Sequence, residues 1–130
     1  MILVDTSAWV EYLRATGSPV HHALRRYLAE GAALATTEVV VMEILAGARH
    51  REEHAALRSL LGVCEFAPVE GLADYELAAA LYRDCRANGE TIRKLTDCLI
   101  AVVAMRAGAR LMHRDADFAA IARHAPLQLA

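Results

Sequence analysis

The chain has 130 residues and a mass of 14.1 kDa, the size of one domain with a real core. With 56% hydrophobic and 23% charged residues it is not a disordered chain, and 7 Gly with 3 Pro exclude a collagen-like or linker-dominated one. A formal charge of −2 and a pI near 6.3 exclude a globally basic nucleic-acid binder and leave only a local basic patch open.

In chain order, Ile2-Leu3-Val4 reads as a strand. Asp5 interrupts the opening apolar run and no cationic stretch precedes it, so no export signal is expected. Thr6 or Ser7 caps a helix reaching Arg14. Ser18 followed by Pro19 is an N-cap and first-turn pair for a helix to Glu30. A buried strand is expected over residues 32–35, after Gly31. Thr36 and Thr37 open a helix toward Gly47, and a further helix spans residues 52–61. A strand is expected over 63–67 after Gly62, then a long helix over 72–87. Thr96-Asp97 opens a central helix to Ala107, followed by a strand over 109–112, a short helix from Asp117, and a last short strand over 127–129. Gly31, Gly62, Gly89 and Gly108 each close a helix, where a left-handed residue is favoured. Strands that alternate with helices and are apolar on both faces imply a parallel sheet covered by helices, in a single domain over residues 1–130. The longest later apolar run, residues 98–105, falls far short of the roughly 20 residues that span a bilayer. Cys64, Cys85 and Cys98 are odd in number and form no C-x-x-C pair; they read as buried free thiols of a cytoplasmic protein.

Parallel sheets bind ligands beyond the carboxyl ends of their strands, and acids collect there. Asp5 follows the first strand, as a helix cap or as a site residue. Glu43 is one carboxylate in the apolar Val39-Val40-Val41-Met42-Glu43-Ile44-Leu45, either on a thin solvent-facing stripe or in a site; Glu38 lies a different way round the helix. Asp97 precedes a wholly apolar helix, again as a cap or a ligand. Asp115 and Asp117 form a D-x-D after a strand, with Asp117 also a candidate cap. Two such carboxylates at about 4 Å repel by about 4 kcal/mol at an effective dielectric near 20. A hard divalent cation removes that cost, and all-oxygen ligands suit Mg²⁺ or Mn²⁺. A metal-bound water is a nucleophile and the same ion neutralises a phosphate, so the residues point to metal-assisted phosphodiester hydrolysis. Phosphate contacts are expected from Arg49, Arg51, Arg93, Lys94 and Arg114, each alternatively plain surface charge.

The order strand-Asp5-Thr6-Ser7, Glu43 in an apolar helix, Thr96-Asp97-Cys98-Leu99-Ile100-Ala101, and Gly108 through Leu111-Met112-His113-Arg114-Asp115-Ala116-Asp117-Phe118 resembles the PIN-domain ribonucleases, specifically the VapC-type toxins of bacterial toxin–antitoxin pairs, over essentially the whole chain. The resemblance implies a PIN-like three-layer α/β/α sandwich with a central parallel sheet. It implies a catalytic, metal-binding quartet of Asp5, Glu43, Asp97 and Asp115 around one or two Mg²⁺ or Mn²⁺ ions, with Asp117 auxiliary and Thr6 lining the site. It further implies endonucleolytic cleavage of RNA, with tRNA or rRNA as the target class, growth inhibition, a cognate VapB-type antitoxin and a homodimer. His113 departs from the family, which often has Thr or Ser there; it contacts a phosphate, orients an acid, or only packs.

Other readings fit less well. His50 and His54 stand at zinc-ligand spacing, but Arg51 occupies the place of the general base and no third ligand is evident. A dehalogenase-type phosphatase needs an acid where Ser7 stands, a receiver domain needs a lysine after a late strand, and no phosphate-binding P-loop exists. The remaining alternative is a catalytically inert PIN-fold protein-binding module. Its partner surface would involve Trp9, Tyr12, Leu13, Leu24 and Tyr27, which are otherwise ordinary core.

Overall fold

Four short strands, β1 (Ile2–Val4), β2 (Leu34–Thr36), β3 (Glu65–Phe66) and β4 (Arg110–Met112), lie side by side in the order β3-β2-β1-β4, every neighbouring pair parallel. The computed structural model describes residues 1–130. Parallel neighbours cannot be joined by a tight turn, so each connection carries helices. These are α1 (Thr6–Leu13) and α2 (Pro19–Glu30) after β1, and α3 (Glu38–Ala46) and α4 (Arg51–Leu61) after β2. After β3 come α5 (Gly71–Ala87) and α6 (Leu95–Ala107), and α7 (Ala116–Ala122) follows β4. The result is the expected α/β/α arrangement, with Ile2 opposite both Leu34 and Arg110. Leu3, Val4, Leu111 and Phe118 are fully enclosed in one contiguous core.

Three strands begin later than the apolar runs suggest, because helix closure consumes their first residues. Gly31 ends α2 with φ 66°, and the Ala32 N–H turns back to the Tyr27 carbonyl at 3.0 Å. The ladder of β2 therefore starts at Leu34. Val63 and Cys64 donate to Leu60 and Leu61 at the end of α4, leaving β3 only two residues. Ala109 likewise donates to the Ala104 carbonyl behind Gly108.

Several expectations fail locally. Gly62 sits at φ −66°, so α4 ends without a left-handed residue. β3 is not apolar on both faces: it has a neighbour on one side only, and both Glu65 and Phe66 are exposed. The 127–129 segment makes a single parallel bridge, Leu129 to Leu111, rather than a strand. Cys64 is only half-buried, while Cys85 and Cys98 are enclosed; all three thiols are free. His50 caps α4 by accepting the Glu53 N–H, and His54 is exposed, so the pair is the wet helix face rather than a zinc site.

α5 and α6 pack against each other and are locked at one end by an ion pair the sequence did not advertise. Asp74, buried in the first turn of α5, accepts Arg106 from the last turn of α6 through two nitrogens, at 2.8 and 3.4 Å. It also accepts the Glu70 N–H at 2.8 Å, while Arg106 reaches the Pro68 carbonyl. The Arg106 hydrogen bond, stronger than the opposing cost of burial, holds the Asp74 carboxyl below its usual range. The stability this contributes is present above the ordinary carboxylate pKa of about 3.9 and is lost as pH falls through the lower, folded value. Asp74→Ala should therefore cost about 2 kcal/mol at pH 7 in denaturant titration, less than a fully buried pair because Arg106 keeps some solvent access. The difference from wild type should shrink as pH falls below 4.

Candidate metal centre

Asp5 is the first residue beyond β1, and its N–H bonds the Met112 carbonyl at 2.9 Å, which holds it against the end of β4. Its carboxylate caps α1. Oδ2 accepts the Ser7 N–H at 2.9 Å and the Ser7 hydroxyl at 2.6 Å, and that hydroxyl accepts the Arg114 N–H at 2.8 Å. Asp5 is thus both the cap and a group at the sheet's carboxyl edge; Thr6 and Ser7 do not replace it as cap. Thr6 instead donates to Glu43 Oε1 at 2.9 Å. That bond ties the one half-buried acid of α3 to α1, whereas Glu38 turns away to the Val69 N–H.

Asp97 lies inside the first turn of α6, which begins at Leu95, and its side chain caps nothing. It is 1% exposed, and its Oδ2 is enclosed without a hydrogen-bond donor. Its carboxylate oxygens come within 4.8 Å of those of Asp115 and Asp117. Asp115, not Asp117, caps α7, accepting the Asp117 N–H at 2.9 Å. Asp117 is freed to receive the Arg93 N–H at 3.1 Å and its side chain at 3.4 Å.

The charges follow from this packing. Burial, followed by the facing Asp117 carboxyl, pushes the Asp97 pKa up to about 8. For Asp115, burial opposes ionisation, but the Asp117 N–H and the Arg93 guanidinium outweigh it and the pKa falls. Arg93 reaches Asp115 at 2.9 Å, and the Lys94 ammonium stands 3.6 Å from Asp115 and 3.8 Å from Asp97. Burial opposes the charge on Lys94, but Asp97, Asp115, Glu43 and Asp5, in that order, raise its pKa; of these acids only Asp97 and Asp115 belong to the close carboxylate group, whose third member is Asp117.

The remaining candidates divide. His113 Nδ1 accepts the Asp115 N–H at 3.1 Å and its ring lies 5.4 Å from Phe118, so it packs and steadies the Asp115 turn. Arg49 pairs with Glu53 and Arg114 with Glu11, both at the surface, and Arg51 is exposed. Arg49 also lines a groove of about 690 Å³ that runs up to Thr6 and Glu43 between α1, α3 and α4. Of the apolar residues considered for a partner surface, Trp9 and Leu24 are core, and Leu13 stays exposed on that groove. Ser7 was missed as a site residue; a hydroxyl two positions after the strand-end acid was the available signal.

The PIN domain model matches residues 2–124. The chain is 50% identical over its full length to Ribonuclease VapC11 of Mycobacterium tuberculosis and to VapC ribonuclease Mb1587 of Mycobacterium bovis, covering 98% of each. The chain belongs to the VapC ribonucleases of the PIN-domain family. The solved VapBC2 from Rickettsia felis, bound to a DNA fragment from its promoter, shares the fold with TM-score 0.75 and 19% identity over 100% of this chain and 98% of that one.

PIN nucleases are generally dependent on divalent metals, and the donor set in this PIN domain fits such an ion: every candidate ligand is a carboxylate oxygen, and one of them, Asp97 Oδ2, is enclosed with nothing to satisfy it. A buried carboxylate held among others costs stability until a cation arrives. Asp97→Asn keeps a neutral polar group at this position at every pH and removes the carboxylate a cation needs. Its metal-free form should melt above wild type at pH 9, above the Asp97 pKa of about 8, by about 4 °C for each kcal/mol relieved, and at neutral pH should lose the rise in Tm that Mn²⁺ gives wild type in differential scanning fluorimetry.

Proposed function

We propose that this PIN domain, spanning residues 1–130, is the toxin of a toxin–antitoxin pair, a metal-dependent endoribonuclease that cleaves tRNA or rRNA. The observation that carries the reading is the close group of Asp97, Asp115 and Asp117 beneath Lys94; Asp5 at the neighbouring strand end and Glu43, tied to Thr6 beside it, support its extension to the quartet. Half identity to curated VapC ribonucleases over the whole length supports the nuclease rather than an inert binding module.

In this reading Asp5, Asp97 and Asp115 hold one or two Mg²⁺ or Mn²⁺ ions, with Glu43 completing the set and Asp117 assisting. A divalent ion bound there supplies an acidified water and neutralises charge on the scissile phosphate. The chain's own residues do the rest. Thr6 engages Glu43 Oε1, which leaves Oε2 to accept a proton. Ser7 fixes Asp5 through Oδ2, and His113 with the Asp117 N–H fixes the turn that carries Asp115. Arg93, Lys94 and Arg114, with Arg49 on the groove and Arg51 exposed nearby in sequence, bind RNA phosphates from a rim around the acids. A VapB-type antitoxin would restrain the enzyme, which acts as a cytoplasmic homodimer; no helix is long and apolar enough to cross a membrane.

Cleavage of total cellular RNA in Mg²⁺ tests the assignment. Asp5→Asn should cut the rate at least a hundredfold while the circular dichroism spectrum stays native. Capture of RNA by this variant should weaken steeply between about 50 and 200 mM salt, and a flat response would remove the basic rim from the reading.

A further inference from the structure

Lys94 is the only lysine in the chain, and it stands over the acids rather than in open solvent. Its Nζ lies 3.8 Å from Asp97 Oδ1 and 3.6 Å from Asp115 Oδ2. The two basic residues at this edge are held differently. Arg93 is anchored: its guanidinium meets Asp115 at 2.9 Å and Asp117 at 3.4 Å, and its own N–H bonds Asp117. Lys94 makes no contact short enough for a hydrogen bond. It is the N-terminal cap residue of α6, its side chain caps nothing, and half of it is exposed above two nearly enclosed carboxylates. An ammonium is a compact point charge on a flexible stem, suited to balance charge without fixing geometry.

We propose that Lys94 is the counter-cation of the metal-free acidic cluster and is displaced from it when a divalent cation binds. The inference rests on the metal-dependent reading above. The ammonium and the ion would compete for the same carboxylates, Asp97 and Asp115. A divalent ion carries twice the charge and sits about 2.0–2.6 Å from its oxygens, well inside the distance Lys94 keeps. The ion therefore wins, but its affinity is reduced by whatever Lys94 contributes to the metal-free state. Displacement leaves the ammonium at the rim, available to a phosphate.

A single lysine makes the test direct. The protein is stripped with EDTA and reductively methylated with ¹³C, which retains the charge and gives one side-chain NMR signal beside that of the N-terminal amine. Without metal the Lys94 signal should be broadened and shifted from that of the unfolded chain; saturating Mg²⁺ should move it to the unfolded position and sharpen it. In calorimetry with Mn²⁺, Lys94→Met should bind about tenfold tighter than wild type, equivalent to about 1.4 kcal/mol. Lys94→Arg, which keeps the charge, should restore the weaker binding, and Lys94→Gln replaces the Met variant if that one does not fold. A Lys94 signal unmoved by Mg²⁺, or an unchanged or weaker Mn²⁺ affinity in the neutral variants, overturns the displacement while leaving the metal site standing. No Mn²⁺ binding by wild type or any variant overturns the metal reading and the displacement together.

Discussion

Repulsion between carboxylates is the constraint around which this molecule is arranged. Asp97, Asp115 and Asp117 gather at one edge of a parallel sheet, with Arg93 and Lys94 among them to offset the charge and Asp5 at the neighbouring strand end. Like charges at such separations do not gather on their own. They are carried there by the ends of strands and the beginnings of helices, whose positions are set by a core that has no part in the chemistry.

The fold economises by giving these acids local duties. Asp5 and Asp115 each cap a helix with one oxygen, so the bond that starts the helix also aims the carboxylate. Ser7 links the Asp5 cap to the Arg114 backbone and so joins the β1 and β4 ends. Asp97 caps nothing. It enters the core on a helix buried from Asp97 to Ala104, with an oxygen left unsatisfied. Stability is given up there for a vacant bond of the kind a cation takes, as active sites commonly do. The Asp74–Arg106 pair is the opposite case: a buried acid fully satisfied, and structural.

Much of this was legible in the residues. β1, the Ser18-Pro19 start of α2 and the Gly31 and Gly108 helix ends follow from local rules that the structure leaves in place. The alternation of helix and strand led to the parallel sheet. What misled was local too. Apolar runs overstated β2, β3 and β4, because closing a helix uses backbone donors that hydropathy does not register. The exposure of β3 depends on its being an edge. Asp115 rather than Asp117 caps α7, and Asp117 instead accepts the N–H of Arg93, 24 residues away.

By itself, then, the amino-acid order determined the class of fold, the set of acids worth watching and their family likeness, because strand ends, caps and apolar helices are written in short stretches. Only the tertiary structure decided that Thr6 holds Glu43 across 37 residues, that Asp97 Oδ2 is enclosed without a partner and that Lys94 rests over the cluster. Those facts depend on which elements meet in space and how deeply each carboxylate is enclosed. Distance and enclosure set the energy of a charge, and neither has a local signature in the chain.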